Sequence, residues 1–158
     1  MISQRSRYAL KALVRLARAK PGESVPARDI SQTEGIPHAF LEQIMLDLKR
    51  MKLVESKRGK EGGYMLAIEP TQITLAGILR MVDGPVAPLT CLSKTAYKRC
   101  EDCADEASCA LRHIFQETHR AMLEVLEQRT LAHAIAKADI SASEGGRYGA
   151  DVFAGAFI

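Results

Sequence analysis

The sequence predicts a mainly α-helical fold, and three observations predict it. Apolar residues recur in three- and four-residue steps through several long segments, strand-like runs are confined to one short pair, and glycine or proline closes most segments. With 158 residues, 47% apolar and 26% charged, the chain can build one core of ordinary size plus an appendage, but not two independent cores.

Between Ser6 and Lys20, the apolar Leu10, Leu13, Val14 and Ala17 stand at i, i+3, i+4 and i+7, with Arg7, Lys11, Arg15 and Arg18 on other faces. That is an amphipathic helix, stopped by Pro21 and Gly22. A short helix is predicted over Ala27 to Thr33, begun after Pro26 and ended near Gly35. The turn Gly35-Ile36-Pro37 then opens a longer helix to about Met51, which buries Leu41, Ile44, Met45 and Leu48 and leaves His38, Glu42, Gln43 and Lys49 outside. Two helices joined by a tight glycine-containing turn make a helix-turn-helix.

Leu53 to Lys57 and Tyr64 to Ile68 flank Arg58-Gly59-Lys60-Glu61-Gly62-Gly63, where the glycines permit a tight reversal. This predicts a β-hairpin with a basic tip, and so a winged helix-turn-helix. Ile73 to Val82 forms another helix, closed by Asp83-Gly84-Pro85, whereas Pro88 to Ser108 has no clean period and is expected to be a loop. From Cys109 to about Arg129, Leu111, Phe115, Thr118, Met122 and Val125 alternate steps of four and three. Such a seam is satisfied by a partner helix, so a long C-terminal dimerisation helix and a homodimer are expected.

Charge is distributed unevenly. Residues 1–60 carry 13 Lys/Arg against 6 Asp/Glu, while residues 61–158 carry 9 against 13. A basic winged helix suits double-stranded DNA, because a helix fits the major groove and a basic hairpin tip lies along phosphates. The candidate contacts are His38, Phe40, Glu42 and Gln43 at the groove and Arg58, Gly59 and Lys60 at the wing, with Arg28 among the phosphate-binding cations Arg5, Arg7, Lys49, Arg50 and Lys57. Glu42 can accept from a cytosine amine and Gln43 can pair with adenine.

All four cysteines, Cys91, Cys100, Cys103 and Cys109, fall within 19 residues. No apolar run approaches the ~20 residues of a membrane span, and the first residues lack a signal peptide's apolar stretch. A cytoplasmic chain without membrane contact is therefore expected. Structural disulfides are disfavoured there, which leaves a metal, a cluster or a thiol switch for these thiols. His119 and His133 are expected on helix surfaces rather than as ligands. The chain has no Trp, four Tyr and four Phe, too few platforms for stacking single-stranded bases. No Ser-His-Asp set, Gly-rich phosphate loop or carboxylate pair can be placed, so no enzyme is expected.

Arg7-Tyr8-Ala9-Leu10-Lys11-Ala12-Leu13, the Ile36–Leu48 segment with Phe40-Leu41-Glu42-Gln43-Ile44, and the wing Arg58-Gly59-Lys60-Glu61-Gly62-Gly63-Tyr64-Met65-Leu66-Ala67 resemble the Rrf2 family of bacterial transcription regulators, the IscR, NsrR, RirA and CymR group. The likeness spans about residues 1 to 130. It implies a homodimer that binds a palindromic operator, usually as a repressor. It also implies a [2Fe-2S] or [4Fe-4S] iron-sulfur cluster held by the cysteine loop, with cluster state controlling the fit to DNA. Cys103-x5-Cys109 running into Leu111-Arg112-His113 resembles the sensor pattern closely.

Two departures stand out. Met51-Lys52-Leu53 occupies the place where the family commonly has Ala-Gly-Leu, which is expected to shift the wing slightly. One cysteine is additional, and Arg7 sits where some members use an acidic ligand. All four cysteines are therefore favoured as ligands, with His113 in reserve; zinc, a bare thiol switch and a cluster-carrying redox protein not acting on DNA remain alternatives. The expected units are a winged-helix DNA-binding domain over 1–84, a cysteine-rich sensor loop over 85–108, the dimerisation helix over 109–135 and a flexible tail over 136–158. Ser141 to Arg147 are small and polar, while Val152, Phe153, Phe157 and Ile158 are apolar enough to dock.

Overall fold

The computed structural model describes residues 2–59 and 62–143. Helices α1 (Gln4–Ala17), α2 (Ala27–Glu34) and α3 (His38–Arg50) come first, followed by strands β1 (Val54–Lys57) and β2 (Gly63–Leu66). Helix α4 (Leu75–Asp83), a single 3-10 turn (Thr90–Leu92), α5 (Ala110–Gln128) and α6 (Leu131–Ser143) complete the order. The mainly helical winged architecture agrees with the sequence.

Helix α1 begins two residues before the predicted Ser6, because the Ser3 hydroxyl accepts from the Ser6 N–H at 3.0 Å and supplies the cap. Ser3 also donates from its backbone N–H to Asp83 Oδ2 at 3.1 Å, and from its hydroxyl to Oδ1, tying the start of α1 to the end of α4. Burial opposes ionisation of Asp83, but these Ser3 bonds outweigh it and hold the carboxyl below its ordinary value.

Ala9, Ala12, Leu13 and Leu16 of α1 meet Ile30 of α2, Leu41, Ile44, Met45 and Leu48 of α3, and Ile78 of α4 in one core. The i, i+3, i+4 spacing of these residues is why each helix buries one stripe. Arg15 pairs with Asp29 at 2.7 Å, and Lys11 Nζ donates to the Glu34 carbonyl at 2.7 Å, so α1 also holds both ends of α2 by polar contacts.

Strands β1 and β2 pair antiparallel from Val54↔Leu66 to Lys57↔Gly63. Val25 adds a third edge, exchanging N–H···O bonds with Tyr64 at 2.8 and 2.9 Å. The approach requires glycine at 63, where an added Cβ would lie 2.4 Å from the Val25 oxygen. Gly63→Ala is therefore expected to push the wing off Val25 and cost ~2 kcal/mol or more in denaturant unfolding.

The Met51-Lys52-Leu53 departure is accommodated at Lys52 itself. Lys52 takes φ 58, the left-handed conformation that glycine supplies without strain. Its N–H bonds to the Lys49 carbonyl and the Leu53 N–H bonds to the Leu48 carbonyl, both at 3.0 Å, so α3 still ends in a Schellman turn. The strain stays local to a lysine Cβ, and Lys52→Gly is expected to raise stability by roughly 0.5–1 kcal/mol in the same assay.

The single helix expected over 109–135 is two helices. Arg129 is extended (φ −92, ψ 122), because Leu75 N–H bonds to the Arg129 carbonyl and Leu131 N–H to the Ile73 carbonyl, each at 2.8 Å. This Thr74↔Thr130 bridge stops α5 and turns the chain back onto α1. Leu131 is fully buried, Ile135 packs on the core, and Asp139 pairs with Arg18 at 2.6 Å. Residues 136–143 of the expected flexible tail are thus helical. Residues 144–158, with Val152, Phe153, Phe157 and Ile158, lie outside the described residues.

Candidate DNA interface and cysteine site

Helix α2 ends at Gly35 in the left-handed conformation (φ 63), which lets Ile36 drop into the core and Pro37 start α3 at a new angle. Burying Leu41, Ile44, Met45 and Leu48 leaves His38, Phe40, Glu42, Gln43, Lys49 and Arg50 exposed. His38 Nδ1 lies 3.7 Å from Glu42 Oε1, one turn on. Phe40 is 62% exposed, with its ring edge-to-face on Tyr8 of α1 at 6.5 Å.

Arg28 is exposed on the first turn of α2, and Arg58 and Gly59 are exposed at the wing. Gly59 has φ 110, which only glycine adopts readily, and its carbonyl accepts from Gly62 N–H at 2.9 Å to close the hairpin. Lys60 lies outside the described residues. Lys49 Nζ donates to Ser56 Oγ at 2.6 Å, linking the end of α3 to β1. Groove and wing candidates therefore belong to one continuous frame of α3 and the hairpin.

Asp47 went unremarked in the sequence because an acidic residue on a basic helix reads as solvated surface. It forms an ion pair with Arg5 of α1 and pairs with Arg50 at 3.3 Å, while Gln43 Nε2 stands 3.4 Å from both of its oxygens.

The four cysteines line one cavity of about 310 Å³ between the loop and the first turn of α5. Cys91 is buried in the 3-10 turn, and Cys100, Cys103 and Cys109 are half-buried. Burial pushes the Cys100 thiol up, and its hydrogen bond with Cys91 reinforces the shift. Thiols of this kind suit a soft metal or a cluster once deprotonated. Among the described residues, no three Cys, His, Asp or Glu side chains converge tightly enough to hold one metal ion.

A polar chain holds the loop together. Arg112 donates to the Cys91 carbonyl at 2.8 Å and pairs with Glu106 at 3.0 Å, and the Tyr97 hydroxyl donates to the other Glu106 oxygen. Arg99 donates to the Cys103 and Ala104 carbonyls at 3.0 and 2.9 Å. Asp105, lowered chiefly by the Ser108 hydroxyl and then by the Ala107 and Ser108 N–H groups, folds the approach to Cys109. Only chain folding reveals the part played by Arg112, since its partners lie 21 and 6 residues away.

The histidines divide. His113 Nε2 lies 2.8 Å from the Ala107 carbonyl and is not among the cavity-lining residues, so the reserve ligand does not face the thiols. His119, expected on the surface, is instead buried, with Nε2 2.6 Å from the Val86 carbonyl, because the 85–88 segment crosses α5 there. His133 is exposed and capped by Thr130 at 2.8 Å.

Along α5, Leu111, Ile114, Phe115, Met122 and Val125 are exposed. No helix among the described residues is long and apolar enough to cross a membrane.

The Rrf2 family, described as an iron-dependent transcriptional regulator, matches residues 2–137. A putative HTH-type transcriptional regulator of Rhodobacter capsulatus, rrf2-like, is 41% identical over 139 residues, which cover 86% of this chain and 93% of that protein. The solved structure of CymR (YrzC), the global cysteine regulator of B. subtilis, is similar with a TM-score of 0.72 and 31% identity, over 87% of this chain and 97% of that one. T. potens IscR is similar with a TM-score of 0.69 and 25% identity, over 89% and 90%. A winged helix, a cysteine loop at the root of a long helix and this match over most of its length agree: the chain belongs to the Rrf2 family of DNA-binding transcriptional regulators.

Proposed function

We propose that this regulator works as a homodimer on a palindromic operator, as a repressor, with an iron-sulfur cluster held by Cys91, Cys100, Cys103 and Cys109 controlling its affinity. The observation that carries the reading is the single cavity onto which all four thiols open, packed against the start of α5. A four-thiolate zinc site usually uses two close cysteine pairs, and Cys100-x2-Cys103 supplies one such pair here. A cluster, when bound, would supply a charge that depends on its redox or assembly state.

The protein's own residues do the rest. Arg112 ties the Cys91 backbone to α5, so a change in the loop reaches the helix whose exposed seam is proposed to pair the two protomers. A different angle between protomers would change the spacing of the two α3 helices against half-sites about one DNA turn apart.

Anaerobic purification followed by an absorption spectrum and iron, sulfide and zinc analysis tests this reading. Brown protein with iron and sulfide is expected; a colourless protein with one zinc per chain overturns it. A second reading, a metal-free thiol switch, is favoured by Cys91 and Cys100 lining the same cavity as reduced thiols. It would show as protein lacking iron, sulfide and zinc whose operator affinity changes with oxidant and reverts with dithiol.

A further inference from the structure

We propose that Asp47 is a specificity-determining residue of the DNA interface, restraining Arg5 and Arg50 against indiscriminate phosphate binding while aiming the amide of Gln43. The inference rests on α3 being the helix that enters the groove. One carboxylate, 23% exposed, gathers three side chains that the duplex would otherwise engage directly.

Two consequences follow from its chemistry. Arg5 and Arg50 must exchange a carboxylate for a phosphate on any duplex, so the phosphate term, which is blind to sequence, is reduced on all DNA alike. Gln43 is treated differently. With its NH2 group directed at Asp47, 3.4 Å from each oxygen, its carbonyl oxygen is the end left for a base edge. That end accepts, so it suits the amine of adenine or cytosine in the major groove. Removing the carboxylate frees two cations for every sequence and lets the amide turn either way, which helps random DNA more than the operator.

The test measures two duplexes over a salt series: an operator obtained by selection from a random library with the wild-type protein, and a 30-base-pair duplex of scrambled sequence. Asp47→Ala is expected to tighten binding to the scrambled duplex several-fold and to steepen its salt slope by about one per arginine released. Operator binding should gain less, so selectivity falls. Asp47→Glu should restore it. In a double-mutant cycle on the operator, Asp47→Ala and Gln43→Ala should be non-additive, and both should relax preference at the same base pair.

Equal changes on both duplexes, an unchanged salt slope or additive effects of the two substitutions would overturn the role of Asp47. Arg50→Ala separates that failure from a wrong choice of reading helix. If it weakens both duplexes while Asp47→Ala leaves selectivity intact, only the Asp47 inference falls; if neither substitution alters DNA binding, α3 is not the reading helix and both readings fall. Circular dichroism of each variant confirms that helix α3 is retained.

Discussion

Serine in place of Cys91, Cys100, Cys103 and Cys109 is expected to abolish iron and sulfide binding and to make operator affinity the same under all loading conditions. Wild-type protein should differ between loaded and stripped states by roughly 5- to 150-fold, the usual range for coupling between sites. The variant should show a ratio near one. Fluorescence anisotropy at one fixed salt concentration is the appropriate measurement, because phosphate contacts make affinities at different salt incomparable. The cavity wall includes residues other than cysteine, among them Leu89, Glu106, Leu111 and Arg112, so the serine variant should keep its helical content. Retained iron and sulfide would remove the thiols from the site; their loss with operator response intact would uncouple the site from DNA.

A charged residue within the apolar seam of α5 is expected to have the second largest effect. Phe115 and Met122 are each 38% exposed and Val125 is 55% exposed, so the chain alone does not explain them. Phe115→Glu combined with Met122→Glu should convert a dimer to monomer in sedimentation equilibrium while far-ultraviolet dichroism is preserved. Operator affinity should fall by ~10²-fold or more, since a monomer engages one half-site and loses the gain of linked binding. A variant that remains dimeric would place the protomer contact elsewhere.

Much of this molecule is legible in its sequence where structure follows from local periodicity. The stripes of α1 and α3, the Gly35 turn and the glycine-rich hairpin each depend on residues within a few positions, and the chemistry of those positions is unambiguous. Features made by distant partners are not legible. The break between α5 and α6 needs Thr74 to pair with Thr130, and seen alone the 109–135 run looks continuous. His119 lies on an otherwise polar stretch, and only the Val86 carbonyl, 33 residues earlier, accounts for its burial.

The candidate site shows the same division. Spacing brings the four thiols into one segment, but the Arg112 and Glu106 contacts decide how that segment folds over α5. On the candidate DNA face the exposed positions of α3 can be read from its period. The gathering of Arg5, Gln43 and Arg50 around Asp47 cannot, because Arg5 belongs to a different helix.

The bridge between Thr74 and Thr130 bears on how α5 can move. A helix of 19 residues is ~28 Å long at 1.5 Å per residue, and its far end is stitched to the head of α4 by two backbone bonds of 2.8 Å. Held there and again at mid-length by the His119 contact with the Val86 carbonyl, the rod is restrained from sliding along its axis. The cysteine loop grips the other end, so under the proposed function a push there is expected to tilt α5 about these held points.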